Sequence, residues 1–286
     1  SFESYYDEQR LSQMFDDSLA ITPLAVCLPG GMKAIVMDAG VENYPGMMIR
    51  RASGDMGASD RGFVLTAEFA PYPLEQEIGG YDRLNLVPTK RGDFIATLEG
   101  RQSLPWRAVV ITERDADILN CDMAQRLAPE CRIEDTSWIK PGKVAWDWWN
   151  NTNITGVNFQ SGMNTDTYLY YIDFAAENGI EYIIIDEGWS GKESLTEDLT
   201  PEIDLQQLIA YGEKRGVGII LWSSWRNLKG AESGAAESER SAVEGVMKHY
   251  ADMGIKGFKV DFFDRDDQQV IASAYEIAAL AARHHL

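Results

Sequence analysis

Cysteine and histidine are scarce in this chain, with only three of each among 286 residues. Cys27, Cys121 and Cys131 follow no metal-ligand spacing and leave an odd number for a disulfide framework. They are expected to be buried free thiols, with a Cys121–Cys131 bridge as the alternative in an oxidising compartment. His249, His284 and His285 lie in helical stretches away from strand ends and are expected at the surface, so histidine triads and His-rich metal centres are poor candidates. Basic residues are also in deficit: 26 Lys+Arg stand against 45 Asp+Glu, a formal net charge of -19. That balance is unsuited to nucleic acid or an anionic membrane surface and suits neutral ligands or metal cations. No stretch approaches the ~20 apolar residues of a membrane span. No signal-peptide pattern opens at Ser1, so a targeting segment is expected to have been removed or never present. Neither a P-loop nor a Gly-x-Gly-x-x-Gly run follows a strand, which argues against nucleotide phosphates.

What is present is material for a core: 45% hydrophobic and 10% aromatic residues, enough for one large domain or two ordinary ones. The pattern changes near Ile139-Lys140-Pro141-Gly142. Before it lie short extended runs: 24–28, 33–37, 47–51, 63–70 and 108–112. Pro29-Gly30-Gly31, Gly79-Gly80 and Arg91-Gly92-Asp93 separate them. Alternation such as Phe63-Val64-Leu65-Thr66-Ala67-Glu68-Phe69 suits antiparallel strands with one wet face, so residues 1–139 read as β-sandwich material. Residues 140–286 read as strict βα alternation. Strands are expected over 144–149, 182–186, 217–222 and 258–263, and helices over 166–177, 204–215, 240–253 and 267–283. Glycine just beyond each of the first three helices is a stop signal. Such alternation implies parallel units, but a closed barrel needs eight of them and ~250 residues. The favoured reading is a chain that ends halfway round a barrel, with a small open sheet as the alternative.

The strand ends carry the chemistry. Gly257-Phe258-Lys259-Val260-Asp261-Phe262-Phe263 places a lysine and an aspartate in an otherwise apolar strand, a costly choice unless the charges reach a ligand or a partner. Asp261, towards the carboxyl edge where βα folds do chemistry, is the candidate catalytic group, and an ion pair with Lys259 is the plain alternative. The first strand ends in Trp146-Asp147-Trp148-Trp149, indoles suited to stacking on a sugar face or to packing in the core. The second ends in Asp186-Glu187-Gly188-Trp189, two carboxylates that can accept hydroxyl hydrogen bonds or bind a cation. The third ends in Trp222-Ser223-Ser224-Trp225 with no carboxylate. Asp264, Asp266 and Asp267 read as a cap and first-turn charges for the last helix. Carboxylates and indoles at one edge, without cysteine or histidine, fit glycoside hydrolysis through an oxocarbenium-like transition state.

Trp146-Asp147-Trp148-Trp149, Ile185-Asp186-Glu187-Gly188-Trp189 and Lys259-Val260-Asp261-Phe262, with Ala39 to Met47 earlier in the chain, together resemble glycoside hydrolase family 97. The resemblance implies the end of an N-terminal β-super-sandwich, followed by the first half of a catalytic (β/α)8 barrel. The rest of the barrel or a further chain would be needed to complete the fold. It implies a nucleophilic aspartate at Asp261, as in the retaining, α-galactosidase-like branch, and an acid/base glutamate beyond Leu286. Trp146, Asp147, Trp148, Asp186, Glu187, Trp189, Trp222 and Lys259 are the candidate substrate-binding residues. Calcium is implied as cofactor with Asp38 as its sandwich-side ligand, a shorter residue than the family's glutamate. A periplasmic or secreted location and an oligosaccharide or α-galactoside substrate follow from the same resemblance. An α-glucosidase, a non-catalytic carbohydrate-binding barrel and a metal-dependent lyase or isomerase are the alternatives.

Overall fold

A computed structural model describes residues 8–14, 18–52, 63–192, 194–230 and 236–286. The chain is mixed α/β and divides into two compact units: 1–74, 90–130 and 265–271 form the first, and 75–89, 131–264 and 272–286 the second.

The first unit is antiparallel. β1 (Ala20–Ile21), β4 (Met48–Arg51) and β5 (Leu65–Glu68) form one three-stranded sheet in the order β1-β4-β5. β2 (Leu24–Cys27), β3 (Lys33–Ala39) and β8 (Trp106–Thr112) form another in the order β2-β3-β8, and β3 pairs with β8 along its whole length. Two short helices, α1 (Asp115–Leu119) and α2 (Met123–Leu127), follow β8. Neither they nor β1 was legible in the sequence, because pieces this short carry no hydrophobic period. The cysteines correct the expectation of buried thiols: all three are free, Cys27 and Cys131 exposed and Cys121 half-buried.

The hairpin of β6 (Pro73–Gly79) and β7 (Asn85–Arg91) was also missed. Its middle and tip belong to the second unit.

In the second unit β9 (Val144–Trp146), β10 (Tyr182–Ile185), β11 (Gly218–Ser224) and β12 (Gly257–Asp261) pair in parallel, in the order β12-β11-β10-β9. Chain neighbours are sheet neighbours, the simplest outcome of repeated βα units. The helices between them are α3 (Thr165–Glu177), α4 (Leu205–Arg215) and α5 (Glu237–Met253), and α6 (Gln268–Arg283) follows β12. Their ends have local causes. Asn164 caps α3 by accepting the Thr167 N–H at 3.0 Å, and Asp204 caps α4 by accepting the Gln207 N–H at 2.9 Å. Gly216 and Gly254 close α4 and α5 at φ 74° and 103°, a region costly for other residues. Asp267 accepts the Val270 N–H at 3.3 Å and caps α6. The core sits between sheet and helices, with Ile172, Ile183, Ile185, Leu208, Leu221 and Met247 among its fully buried members.

Two strand ends differ from expectation. β9 stops at Trp146, and Asp147–Asn150 turn into a 3-10 helix where an extended run to Trp149 was expected. The clustered indoles are accommodated by turning: Trp148 and Trp149 reach solvent instead of the sheet. β12 stops at Asp261, because Phe262 adopts φ 63° and turns the chain out of the sheet.

Candidate active site

The carboxyl edge of the parallel sheet brings together Lys259, Asp186 and Asp261 of the second unit. Asp261 is the last residue of β12, and Lys259 lies on the same face two residues earlier. Asp186 follows β10 directly and Trp146 ends β9. The Lys259 ammonium bridges the carboxylates, 2.9 Å from Asp186 Oδ2 and 2.8 Å from Asp261 Oδ2, and lies 4.4 Å from the centre of the Trp146 ring. Trp146 donates its indole N–H to Asp186 Oδ2 at 2.5 Å, and Trp222 donates its own to Asp261 Oδ2 at 3.1 Å. The backbone N–H groups of Glu187 and Phe262 donate to the preceding carboxylates at 2.8 and 2.9 Å.

This network fixes the electrostatics. Burial alone would push the Asp261 carboxyl up, but the bond from Lys259, the Phe262 N–H, the lysine charge and the Trp222 N–H outweigh it and hold the group below the usual carboxylate range. Burial likewise opposes the Lys259 charge, and the hydrogen bonds it donates to Asp261 and Asp186 overcome it, so the ammonium is held above its ordinary value. Asp261 is therefore a stable anion with 38% of its side chain open, whereas Asp186 keeps only 7%. The ion pair with Lys259 considered as an alternative does form, yet it leaves the carboxylate reachable. Glu187, half-buried, is pushed up by burial and by the neighbouring Asp82 charge.

Other expected contacts sit elsewhere. Trp189 is fully buried; its indole N–H donates to the Trp222 carbonyl at 2.9 Å and its ring meets Tyr250 edge-on at 5.5 Å. It is core, which corrects the expectation of a substrate contact. Asp147 is also buried, accepting the Tyr168 hydroxyl and, at 3.2 Å, the Asp186 N–H. Burial pushes its carboxyl up to about 6, so it supports the turn that holds Asp186 instead of facing a ligand. Trp222 is buried and acts on the edge through its N–H. Trp148 is exposed and stacks on Trp146 with centroids 5.6 Å apart. Tyr168 was missed because a tyrosine on the inner face of an amphipathic helix looks like packing until its partner is known.

Asp38, on β3 in the first unit, accepts from the Thr22 hydroxyl and the Met47 N–H, both at 2.9 Å. Both of its oxygens thus already have donors. Among the described residues no group of three or more His, Cys, Asp or Glu side chains is placed to hold a metal ion. Among the described residues the donors do not by themselves make up the six to eight oxygens that calcium takes. Among the described residues no helix is long and apolar enough to cross a membrane.

The sequence profile of Glycoside hydrolase 97 matches residues 146–286, and that of the Glycosyl-hydrolase 97 N-terminal region matches residues 1–129. A retaining alpha-galactosidase of Bacteroides thetaiotaomicron is 41% identical over 100% of this chain, which spans 41% of that protein. A glycoside hydrolase family 97 enzyme from Pseudoalteromonas, solved in complex with acarbose, shares the fold at a TM-score of 0.66 and 21% identity. The match covers 95% of this chain and 40% of that one. A beta-arabinopyranosidase matches at 0.53 and 22% identity, covering 89% and 36%. The chain thus spans less than half the length of these relatives. On two profiles that together cover nearly all of it, and on a relative alike from end to end, the chain belongs to glycoside hydrolase family 97.

Proposed function

We propose that this chain supplies the nucleophile of a retaining α-galactosidase, and that the nucleophile is Asp261. The observation that carries the reading is an aspartate at the end of a parallel strand, held ionised by Lys259, Trp222 and the Phe262 N–H yet open over 38% of its side chain. A nucleophile in this chemistry must be ionised, accessible and oriented, and those contacts serve all three needs.

In this reading a carboxylate oxygen of Asp261 bonds to the anomeric carbon while the bond from that carbon to the leaving oxygen breaks. The leaving oxygen takes its proton from an acid glutamate that the family resemblance puts outside this chain, about 5–5.5 Å from Asp261. Water then attacks the anomeric carbon, yields its proton to that glutamate and releases Asp261. Asp186, Glu187 and Trp148 would hold the sugar, while Lys259 fixes both aspartates.

The four parallel units form, on this reading, the first half of a (β/α)8 barrel, with residues 1–139 the end of a β-super-sandwich. The remaining strands come from the rest of the enzyme. Calcium at Asp38 belongs to the proposal only with oxygen ligands from elsewhere in the complete protein, and no step depends on it. A periplasmic or secreted location rests on the family resemblance alone. A galactoside is preferred to a glucoside because the 41% identical relative is a retaining alpha-galactosidase.

The test uses the complete protein and an aryl α-galactoside. Asp261→Ala should abolish turnover, and NMR should show α-galactose as the first product. Wild-type-like turnover by the variant, or β-galactose first, contradicts the proposal. Faster cleavage of the matching aryl α-glucoside would replace the substrate.

A further inference from the structure

The tip of the β6–β7 hairpin has no part in the reaction above, yet it is tied to the rim on which Asp261 stands. Tyr81 stacks on Phe262 with ring centroids 5.9 Å apart and planes within 1° of parallel. Phe262 follows Asp261 directly and meets the Trp222 ring edge-on at 5.9 Å, the same indole whose N–H holds Asp261. Lys192 is ion-paired with the Asp82 carboxylate and donates to its carbonyl at 3.3 Å, and the Asn85 amide donates to Asp264.

The backbone is strained on both sides of this contact. Asp82 and Arg83 sit at φ 47° and 61°, and Phe262 and Asp264 at φ 63° and 47°. Non-glycine residues adopt this region at a cost, and it persists where surrounding contacts demand it. Gly80, at φ 71°, leaves no room for a side chain: a Cβ there would meet Asn85, the residue bonded to Asp264, at 2.9 Å. So much anchoring would suit a buried ring, but Tyr81 keeps 71% of its surface exposed. One face lies on Phe262 and the other is open.

We propose that Tyr81 is the stacking platform for the leaving-group sugar of the α-galactoside, an inference that rests on the glycosidase reading above. Trp222, Lys259, Trp146 and Asp186 are tied to one another and to Asp261, so the part of a glycoside beyond its reacting sugar has to find its contacts outside that network. Tyr81 is the exposed ring one aromatic contact beyond. An apolar sugar face on a fixed phenol ring is a favourable match, because the ring loses little freedom on binding.

The complete protein is assayed on two substrates, α-galactosyl fluoride and an α-1,6-linked galactosyl-glucose disaccharide. The first offers no surface to a leaving-group site; the second does. Tyr81→Ala should lower kcat/KM for the disaccharide by about tenfold and for the fluoride by less than about twofold, with Tyr81→Phe near wild type on both. An equal fall on both substrates means that the ring only supports Asp261 through Phe262, and overturns the proposal, as does no fall on either. Should Tyr81→Ala not fold, Tyr81→Leu keeps an apolar contact to Phe262, lacks the flat outer face and reads the same difference. A wild-type enzyme that cleaves neither substrate overturns the glycosidase reading itself, and the platform with it.

Discussion

The two outer strands of the parallel sheet each have an aspartate at the carboxyl end, Asp147 just beyond β9 and Asp261 closing β12, and their surroundings drive the two groups in opposite directions. Asp147, beyond β9, is 1% exposed, has the Tyr168 hydroxyl and the Asp186 N–H as partners and no cation among the described residues, and is pushed up to about 6. Asp261, closing β12, shares Lys259 with Asp186, stays partly open and is held low. A strand-end position is therefore insufficient to mark a nucleophile. Access and a paired cation separate the group that can react from the group that supports it.

The contrast breaks first at Asp261. Asp261→Asn in the complete enzyme should lower kcat on an aryl α-galactoside by at least about a thousandfold, with the thermal midpoint almost unchanged. Asp147→Asn, the matched change on β9, should keep turnover within about tenfold, and a larger loss there would erase the distinction. The indoles offer the next comparison. Trp189→Ala opens a void in a filled core and should cost about 3–5 kcal/mol in denaturant unfolding. Trp148→Ala should stay within about 0.5 kcal/mol of wild type and raise KM instead.

The pH dependence of stability sharpens the same contrast. Because burial raises Asp147 from 3.8 to about 6, the folded state holds that proton more tightly than the unfolded chain. Its contribution is fully present below the ordinary carboxylate range and is lost as pH rises through about 6, a change of about 3 kcal/mol. Asp147→Asn should flatten unfolding free energy against pH between about 4 and 7, and an unchanged slope contradicts the assignment. Asp261 has the opposite sign: its contribution is present above the ordinary carboxylate range and is lost as pH falls through its lowered value. Lys259→Met should remove that lowering and move the acid limb of the kcat/KM profile to higher pH. The stability cost should be about 3 kcal/mol, because losing the ammonium also leaves the buried Asp186 carboxylate without its cation.

How much of this was legible beforehand follows from physical range. The four parallel strands and their helices announce themselves through glycine stops and apolar runs such as Ile183-Ile184-Ile185, whereas the caps Asn164 and Asp204 emerge only from the structure. Asp261, Lys259 and Asp186 stood out because charge in a buried strand demands an explanation. The roles of Trp189 and Asp147 were not legible. Whether a strand-end side chain turns inward or outward depends on distant partners, Tyr250 and the Trp222 carbonyl for one, Tyr168 for the other. Tyr81 escaped notice for the same reason, since a Gly-Gly-Tyr-Asp turn says nothing of the Phe262 ring it lies against.

The central claim is that Asp261 becomes covalently joined to the sugar. The complete enzyme can be incubated with a 2-deoxy-2-fluoro α-galactosyl substrate bearing a good leaving group, which slows breakdown of the intermediate, then digested and its peptides weighed. The account predicts one added fluorosugar mass on the peptide containing Asp261, absent in Asp261→Asn. Turnover of the parent substrate with the label on another residue, or with inversion at the anomeric carbon, would contradict it.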